Sequence, residues 1–100
     1  MDRMQVYDLI DGERDYQQTK WNENVSTSQG VHKTWEEWIT YMQDYLDEAK
    51  KVLTYTPQPL ADFRAACSIR KVVALGVAGM EQLGAPSRSE EGSRPMGARY

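Results

Sequence analysis

The chain has little of what a disulfide-stabilised, zinc-binding or membrane-spanning protein requires. Its 100 residues include one cysteine, Cys67, and one histidine, His32. A lone cysteine excludes an intramolecular disulfide and a cysteine and histidine zinc cluster. No run approaches the roughly 18 apolar residues that cross a bilayer, and the start MDRMQ lacks the basic and apolar regions of a signal peptide. We therefore expect a reduced, cytoplasmic protein without a membrane partner.

Signatures of catalysis are also missing. His32 has no serine, cysteine or acid at a spacing that would define a triad, and there is no glycine-rich phosphate loop or dinucleotide fingerprint. Cys67 has no neighbouring histidine or acid to activate its thiolate, so we interpret it as a small buried hydrophobic residue. The sequence predicts no catalytic residue, no metal ligand and no cofactor.

Positive charge is scarce in the first part of the chain. Residues 1–62 hold 12 acids and 6 bases, whereas residues 63–100 hold 3 acids and 6 bases, and the net charge is −3. A long nucleic acid would require a strongly basic stripe, so we do not expect one as a partner. The local excess of bases after residue 62 favours a compact anion or the pairing of subunits.

Helical periodicity is what the chain does have. Apolar residues at helical spacing predict a first helix from about Arg3 to Trp21, with a kink or break possible at Gly12, and a polar loop from Asn22 to Lys33. A second helix begins after Thr34, which forms a capping box with Glu37. Its apolar face is formed by Trp35, Trp38, Ile39, Met42, Tyr45, Leu46, Ala49, Val52 and Leu53. The opposite face, including Tyr41, Asp44 and Glu48, is interpreted as solvated.

A third helix follows two prolines, Pro57 and Pro59, and ends before Gly84. It is apolar or small nearly all round, which predicts that it lies in the centre of the domain or between subunits. Its internal glycines, Gly76 and Gly79, lower helix propensity, so we expect another backbone or a ligand to approach closely there.

These elements predict an all-α fold, a three-helix antiparallel bundle with a long central loop. Residues 1–88 form a single domain and residues 89–100 a flexible tail without periodicity. A chain of this length has a thin core, and small folds without disulfides or metals commonly gain stability from a shared interface. We therefore expect a symmetric homo-oligomer.

Two groups of side chains have the chemistry of a nucleotide pocket. The end of the first helix carries a guanidinium, an amide and two aromatic rings, and the third helix carries a basic pair. Aromatic rings stack on bases and cations bind phosphates. The candidate ligand-binding residues are Arg14, Tyr16, Gln17, Trp21, Arg70 and Lys71. The structural alternative is that Arg70 pairs with an acid of the first helix such as Glu13, and that Trp21 caps the core.

A metal-dependent hydrolase would need acids on two facing helices. The second helix offers several, namely Glu36, Glu37, Asp44, Asp47 and Glu48. The third offers only Asp62 and Glu81, some five turns apart, so the facing half of a magnesium site is missing.

Three segments resemble a group of small, mostly uncharacterised bacteriophage proteins: ERDYQ followed by Trp21, WITYMQDYLDEA, and RKVVALGVAGMEQLGAP followed by Arg88. The resemblance covers most of residues 5–88, carries no settled activity, and adds Arg88 to the candidate ligand-binding residues. It implies a location in the cytoplasm of the host cell. The layout is distantly similar to MazG-like all-α proteins, but QDYLDEA and IRKVVAL stand where their hydrolases have an EExxE-type motif and further acids. Size and class are also similar to phage helical oligomers that sequester cyclic nucleotide immune signals.

Three hypotheses follow. The first is a phage anti-defence protein that sequesters a small anionic nucleotide, such as a cyclic nucleotide signal, without catalysis. The second is a MazG-like metal-dependent nucleotide pyrophosphohydrolase. The third is a structural or interaction protein without a ligand, in which Arg70 and Lys71 meet acidic first helices of neighbouring subunits.

Overall fold

The fold, seen in a computed structural model that describes residues 1–23 and 33–93, is all-helical, as predicted. Its elements are α1 (Arg3–Glu23), α2 (Trp35–Tyr55), α3 (Leu60–Leu83) and α4 (Arg88–Ser93). The described residues contain no strand. Most of the predicted central loop and the end of the predicted tail, residues 24–32 and 94–100 with His32 among them, lie outside the described residues.

The start of α2 is fixed by local hydrogen bonds. The backbone N–H of Glu37 donates to Thr34 Oγ1 at 3.1 Å, and the backbone N–H of Thr34 donates to Glu37 Oε1 at 2.8 Å. The predicted capping box is therefore confirmed. The helix ends at Tyr55, just before Pro57, and α3 begins after Pro59, so α2 and α3 form the helical hairpin that the two prolines predicted.

The central element is α3, which packs against both α1 and α2. Among the described residues it supplies most of those that are buried: Ala61, Val72, Ala74, Leu75, Ala78 and Gly79. It ends at Gly84, whose positive φ of 79° suits a glycine and whose N–H donates to the Met80 carbonyl at 2.8 Å. The predicted central position of this helix and its glycine stop are both confirmed.

The internal glycines of α3 accommodate side chains of α2. A Cβ atom at Gly79 would lie 3.2 Å from Trp38 Cγ, and one at Gly76 would lie 3.5 Å from Met42 Cε. These contacts pair the start of α2 with the end of α3 and show that the two helices are antiparallel. The expectation of a backbone or ligand at these glycines was wrong, because the indole of Trp38 and the thioether of Met42 occupy the space.

The first helix is one continuous element, but it is poorly buried. It continues through Gly12 without the break that its glycine suggested. No residue of α1 is buried, and every residue from Met1 to Leu9 is exposed. The polar contacts of α1 with α3 come from Glu13, Arg14 and Gln17, so the second half of the helix holds it to the domain.

A short fourth helix corrects the prediction of an irregular tail from residue 89. The backbone N–H of Glu90 donates to Ser87 Oγ at 3.1 Å, and the backbone N–H of Ser87 donates to Glu90 Oε1 at 3.2 Å. This reciprocal cap, together with Glu90 and Glu91 in the first turn, favours a helical turn without an apolar face. In the described part of the chain, no helix is long and apolar enough to cross a membrane.

Candidate functional site

A cavity of about 280 Å³ lies where α1, α2 and α3 meet. We call it the three-helix cavity. It is lined by Glu13, Tyr16, Gln17, Lys20, Trp21, Tyr41, Tyr45, Lys71 and Leu75.

Helical spacing explains how each helix contributes to the three-helix cavity. Tyr41 and Tyr45 on α2 are four residues apart, as are Lys71 and Leu75 on α3, and side chains at that spacing share one face of a helix. Leu75 is 1% exposed and belongs to the core with Trp38 and Ala78. The floor of the cavity is therefore part of the packed core.

A row of aromatic rings runs from α1 across α2. The ring centroids of Trp21 and Trp38 are 6.1 Å apart, those of Trp38 and Tyr41 6.4 Å, and those of Tyr41 and Tyr45 5.7 Å. Such ring pairs contribute beyond the area that they bury. The interpretation of Tyr41 as part of a solvated face was wrong, because the tyrosine is half-buried against Trp38. The cavity thus has an aromatic wall in addition to Tyr16, which is exposed beside it.

Arg70 does not extend into free space but pairs with Glu13. Its Nε donates to Glu13 Oε1 at 2.7 Å, and the Glu13 side chain is only 8% exposed. The hydrogen bond to Glu13 is the main reason that the pKa of Arg70 is raised above its ordinary value. A near-buried carboxylate requires such a partner, so the structure shows the pairing that the structural alternative proposed.

Lys71 has a different environment from its neighbour. Within residues 1–23 and 33–93 its ammonium makes no hydrogen bond or ion pair, and it lines the three-helix cavity near Tyr45. Its backbone carbonyl accepts a hydrogen bond of 3.2 Å from Gln17 Nε2. The basic pair is therefore divided between a structural ion pair and a cation at the cavity.

Gln17 presents an unused acceptor. A backbone carbonyl can only accept, so the bond to Lys71 fixes which end of the Gln17 amide is the donor. The opposite atom, Oε1, is buried and has no hydrogen-bond partner in the described structure. A buried acceptor in that state costs free energy of about 1–3 kcal/mol.

Arg14 connects α1 to α3 through hydrogen bonds of its side chain. Its Nε and one Nη donate to the two carboxylate oxygens of Glu81 at 3.1 and 2.8 Å, and the same Nη donates to Gln18 at 2.8 Å. The guanidinium carbon lies 5.3 Å from the Trp21 ring centroid. Arg14 holds the aromatic wall in place but does not line the cavity.

Three other polar residues do not line the three-helix cavity. Arg88 is on α4, where its Nη1 lies 3.3 Å from Glu91 Oε2, so the structure does not bring it to the cavity. Arg64 and Ser68, which share a face with Lys71 by spacing, do not line the cavity either. Four of the seven candidate residues line the three-helix cavity, namely Tyr16, Gln17, Trp21 and Lys71. Two more, Arg14 and Arg70, do not line it but contact residues that do.

Five lining residues are not among the predicted ligand-binding residues: Glu13, Lys20, Tyr41, Tyr45 and Leu75. The spacing of Trp38, Tyr41 and Tyr45 at three and four residues could have indicated an aromatic row. The burial of the Tyr45 hydroxyl is the main reason that its pKa is raised, with the Tyr41 hydroxyl adding to the effect. Tyr45 therefore stays protonated at neutral pH and can donate a hydrogen bond.

The acidic residues of α2 do not converge on a metal position. No group of three histidine, cysteine, aspartate or glutamate residues in residues 1–23 and 33–93 could hold a metal ion. Glu36, Glu37 and Asp44 border a separate groove of about 440 Å³ that is wide open to solvent. That groove is larger, but its open shape and acidic lining do not suit an anion.

In comparisons with known proteins, no family model matches the chain, and neither does any curated protein or solved structure.

Proposed function

We propose that this protein binds a small anionic nucleotide in the three-helix cavity and does not transform it. One observation carries the proposal: an ammonium without a carboxylate partner, that of Lys71, lines the same cavity as the rings of Tyr16, Trp21, Tyr41 and Tyr45. A cation beside aromatic rings combines the two contacts that a nucleotide needs, one for phosphate and one for a base.

The charge balance of the cavity supports an anion. Glu13 is the single acidic lining residue, and Arg70 neutralises it from outside. Lys71 and Lys20 both line the cavity, and Lys20 also lies near Glu23, with 3.5 Å between Nζ and Oε2. We assign the main phosphate contact to Lys71 and a secondary one at the mouth to Lys20.

The base would lie against the aromatic wall. Stacking on Tyr16 or Trp21 contributes roughly 1–3 kcal/mol per base. The protonated Tyr45 hydroxyl would donate to a carbonyl or phosphate oxygen of the ligand.

The size of the cavity favours a compact ligand. Pockets for drug-sized ligands measure about 300–1,000 Å³, and this one measures about 280 Å³. A base and part of a sugar fill that volume, which leaves the phosphate at the rim near Lys71 and Lys20. In a phage protein, this chemistry fits the sequestration of a cyclic nucleotide immune signal in the host cytoplasm, with a symmetric homo-oligomer as the binding form.

Isothermal titration calorimetry against a panel of cyclic and linear nucleotides tests the proposal. We expect at least one nucleotide to bind with a Kd below about 100 μM, or about −5.5 kcal/mol. Lys71→Met should weaken that binding about 10- to 100-fold, since a hydrogen bond to a charged group contributes about 1.5–3 kcal/mol. Lys51→Met removes an exposed lysine of α2 that does not line the cavity and should leave the affinity unchanged.

Two outcomes would overturn the proposal. The first is the absence of any nucleotide binding tighter than about 100 μM. The second is chromatographic recovery of a cleaved nucleotide after incubation with magnesium, with cleavage lost in Asp44→Ala or Glu48→Ala, which would favour a pyrophosphohydrolase.

A further inference from the structure

The first helix is held to the domain by little apolar packing. No residue of α1 is buried, whereas α3 has six buried residues and α2 has Trp38 and Ala49. From α1, the partly buried Trp21 packs against the core. Burial of apolar area is the main favourable contribution to folding, so α1 gains less from its position than α2 and α3 gain from theirs.

The ion pairs that fix α1 on α3 are partly open to water. The side chain of Glu81, which binds Arg14, is 50% exposed, and that of Arg70, which binds Glu13, is 37% exposed. Water competes for exposed charges and limits what such pairs contribute. Helices in proteins owe most of their stability to packing, and an element with few buried contacts opens at a lower free energy than the core. The first helix should therefore open before α2 and α3 separate.

The three-helix cavity lies between α1 and the hairpin of α2 and α3. The first helix supplies Glu13, Tyr16, Gln17, Lys20 and Trp21, and the hairpin supplies Tyr41, Tyr45, Lys71 and Leu75. The cavity therefore exists only while α1 is docked on the hairpin. A nucleotide in it would contact both parts, with its phosphate at Lys71 of the hairpin and its base against Tyr16 or Trp21 of α1.

We propose that α1 docks on and leaves the hairpin as one unit, and that a nucleotide in the three-helix cavity holds α1 in its docked position. A ligand that binds only the docked form stabilises that form by mass action. The statement about the nucleotide rests on the proposed function, whereas the statement about α1 rests on packing alone. Ligand binding and the position of α1 then regulate each other.

Amide hydrogen exchange reports this equilibrium better than affinity does. While the docked form predominates, the apparent dissociation constant is close to that of the docked form and hardly depends on undocking. The amides of α1, in contrast, become accessible when the helix leaves the hairpin and loses its backbone hydrogen bonds. Residue-resolved exchange of the full chain, followed by NMR, therefore tests the proposal.

The first experiment uses the chain without ligand. After correction for intrinsic rates, the amides of residues 14–21 should exchange at least about 10-fold faster than the slowest amides of α3. Ala49→Gly removes a buried methyl group from α2. It should speed the slowest amides of the hairpin at least about 5-fold and leave the exchange of α1 unchanged. Equal exchange in α1 and α3 overturns the proposal, as does an α1 that responds to Ala49→Gly together with the hairpin.

The second experiment weakens the docking of α1 from the side of α3. Arg70→Met changes neither α1 nor the lining of the cavity, but it leaves the nearly buried Glu13 carboxylate without its partner. Exchange in α1 should become about 5- to 30-fold faster. Arg64→Met, at an exposed arginine of the same helix, is the matched control and should leave it unchanged. Unchanged exchange in Arg70→Met overturns the proposal.

The third experiment adds the nucleotide that binds most tightly in the calorimetric panel. At about ten times its Kd, exchange in α1 should slow about 10-fold, because only the docked form binds. A nucleotide that binds but leaves the exchange of α1 unchanged overturns the coupling and leaves the proposed function intact. If no nucleotide binds, the proposed function fails and the coupling with it, whereas the two experiments without ligand still decide whether α1 moves as a unit.

Discussion

Arg70 and Glu13 form an ion pair between α3 and α1 in which the Arg70 Nε lies 2.7 Å from Glu13 Oε1. The carboxylate is nearly buried, while the guanidinium is 37% exposed. The pair fixes the second half of α1 on α3 and leaves Lys71 as the cation that α3 contributes to the three-helix cavity. The two adjacent basic residues therefore differ in position: Arg70 belongs to an ion pair of the fold, and Lys71 belongs to the candidate site.

Removal of the Glu13 charge should destabilise the fold. We expect Glu13→Gln to lower the free energy of unfolding by about 1–2 kcal/mol, a value discounted from the upper range for charged hydrogen bonds because Arg70 is partly exposed. Urea denaturation measures the change. In a double-mutant cycle with Arg70→Met the two effects should be non-additive; additive effects would mean that the pair contributes nothing.

The two glycines of α3 that face α2 should respond in opposite directions to alanine. Trp38 is 2% exposed, and its Nε1 donates to Gln82 at 3.2 Å, so the indole cannot move away from a Cβ at Gly79. We expect Gly79→Ala to destabilise by about 1–2 kcal/mol, as overpacking outweighs the gain in helix propensity.

Gly76→Ala is the matched control for that substitution. The atom that it meets is the flexible end of Met42 at 3.5 Å, an ordinary contact distance. We therefore expect a stabilisation of up to about 1 kcal/mol from helix propensity. Thermal and urea unfolding of both variants would show whether the contact with Trp38 or the helix propensity determines the sign of the change in stability.

Local signals predicted the helices better than they predicted the site. Thr34 with Glu37, and Gly84, act through backbone groups within a few residues, so their effects can be deduced from sequence. The cap of α4 by Ser87 and Glu90 uses the same chemistry, but it precedes no apolar run and was therefore not recognised. Each of these features depends on neighbours in the chain.

The site depends on neighbours in space. Glu13 and Arg70 are 57 residues apart, and periodicity cannot show which acid meets which base. Tyr41 lies outside the apolar stripe of α2 as counted from sequence, but the end of α1 places Trp21 against Trp38 and extends the covered side of α2. The sequence indicated the right residue types on α1 and α3, and the packing of α1 decided which of them share a cavity.

Arg14 should prove to be a structural residue and not a ligand contact. Lysine cannot reproduce its two bonds to Glu81 or its stacking on Trp21. Because Glu81 is half exposed, we expect Arg14→Lys to cost only about 1 kcal/mol of stability. Arg3→Lys, at an exposed position of the same helix, should cost nothing measurable.

The Arg14→Lys variant also distinguishes a structural role of Arg14 from a direct contact with the ligand. If Arg14 only holds the aromatic wall, calorimetry under conditions where the variant is fully folded should show a nucleotide affinity close to that of the wild type. A large loss of affinity in Arg14→Lys without a loss of stability would instead make Arg14 a direct ligand contact.

Acid should weaken the start of α2 through Glu37. Its pKa is lowered from the ordinary glutamate value, first by the hydrogen bond with the Thr34 backbone and then by the one with the Thr34 side chain. A carboxylate whose folded pKa is depressed contributes stability above its unfolded pKa, and this stability is lost as the pH falls through the folded pKa. Carbon-detected NMR titration of the Glu37 carboxyl should give a midpoint below the ordinary glutamate value. Glu37→Gln should remove part of the loss of helicity between neutral and acidic pH, whereas Glu36→Gln should leave the acid dependence as in the wild type. A Glu37 midpoint at or above the ordinary glutamate value would contradict this assignment.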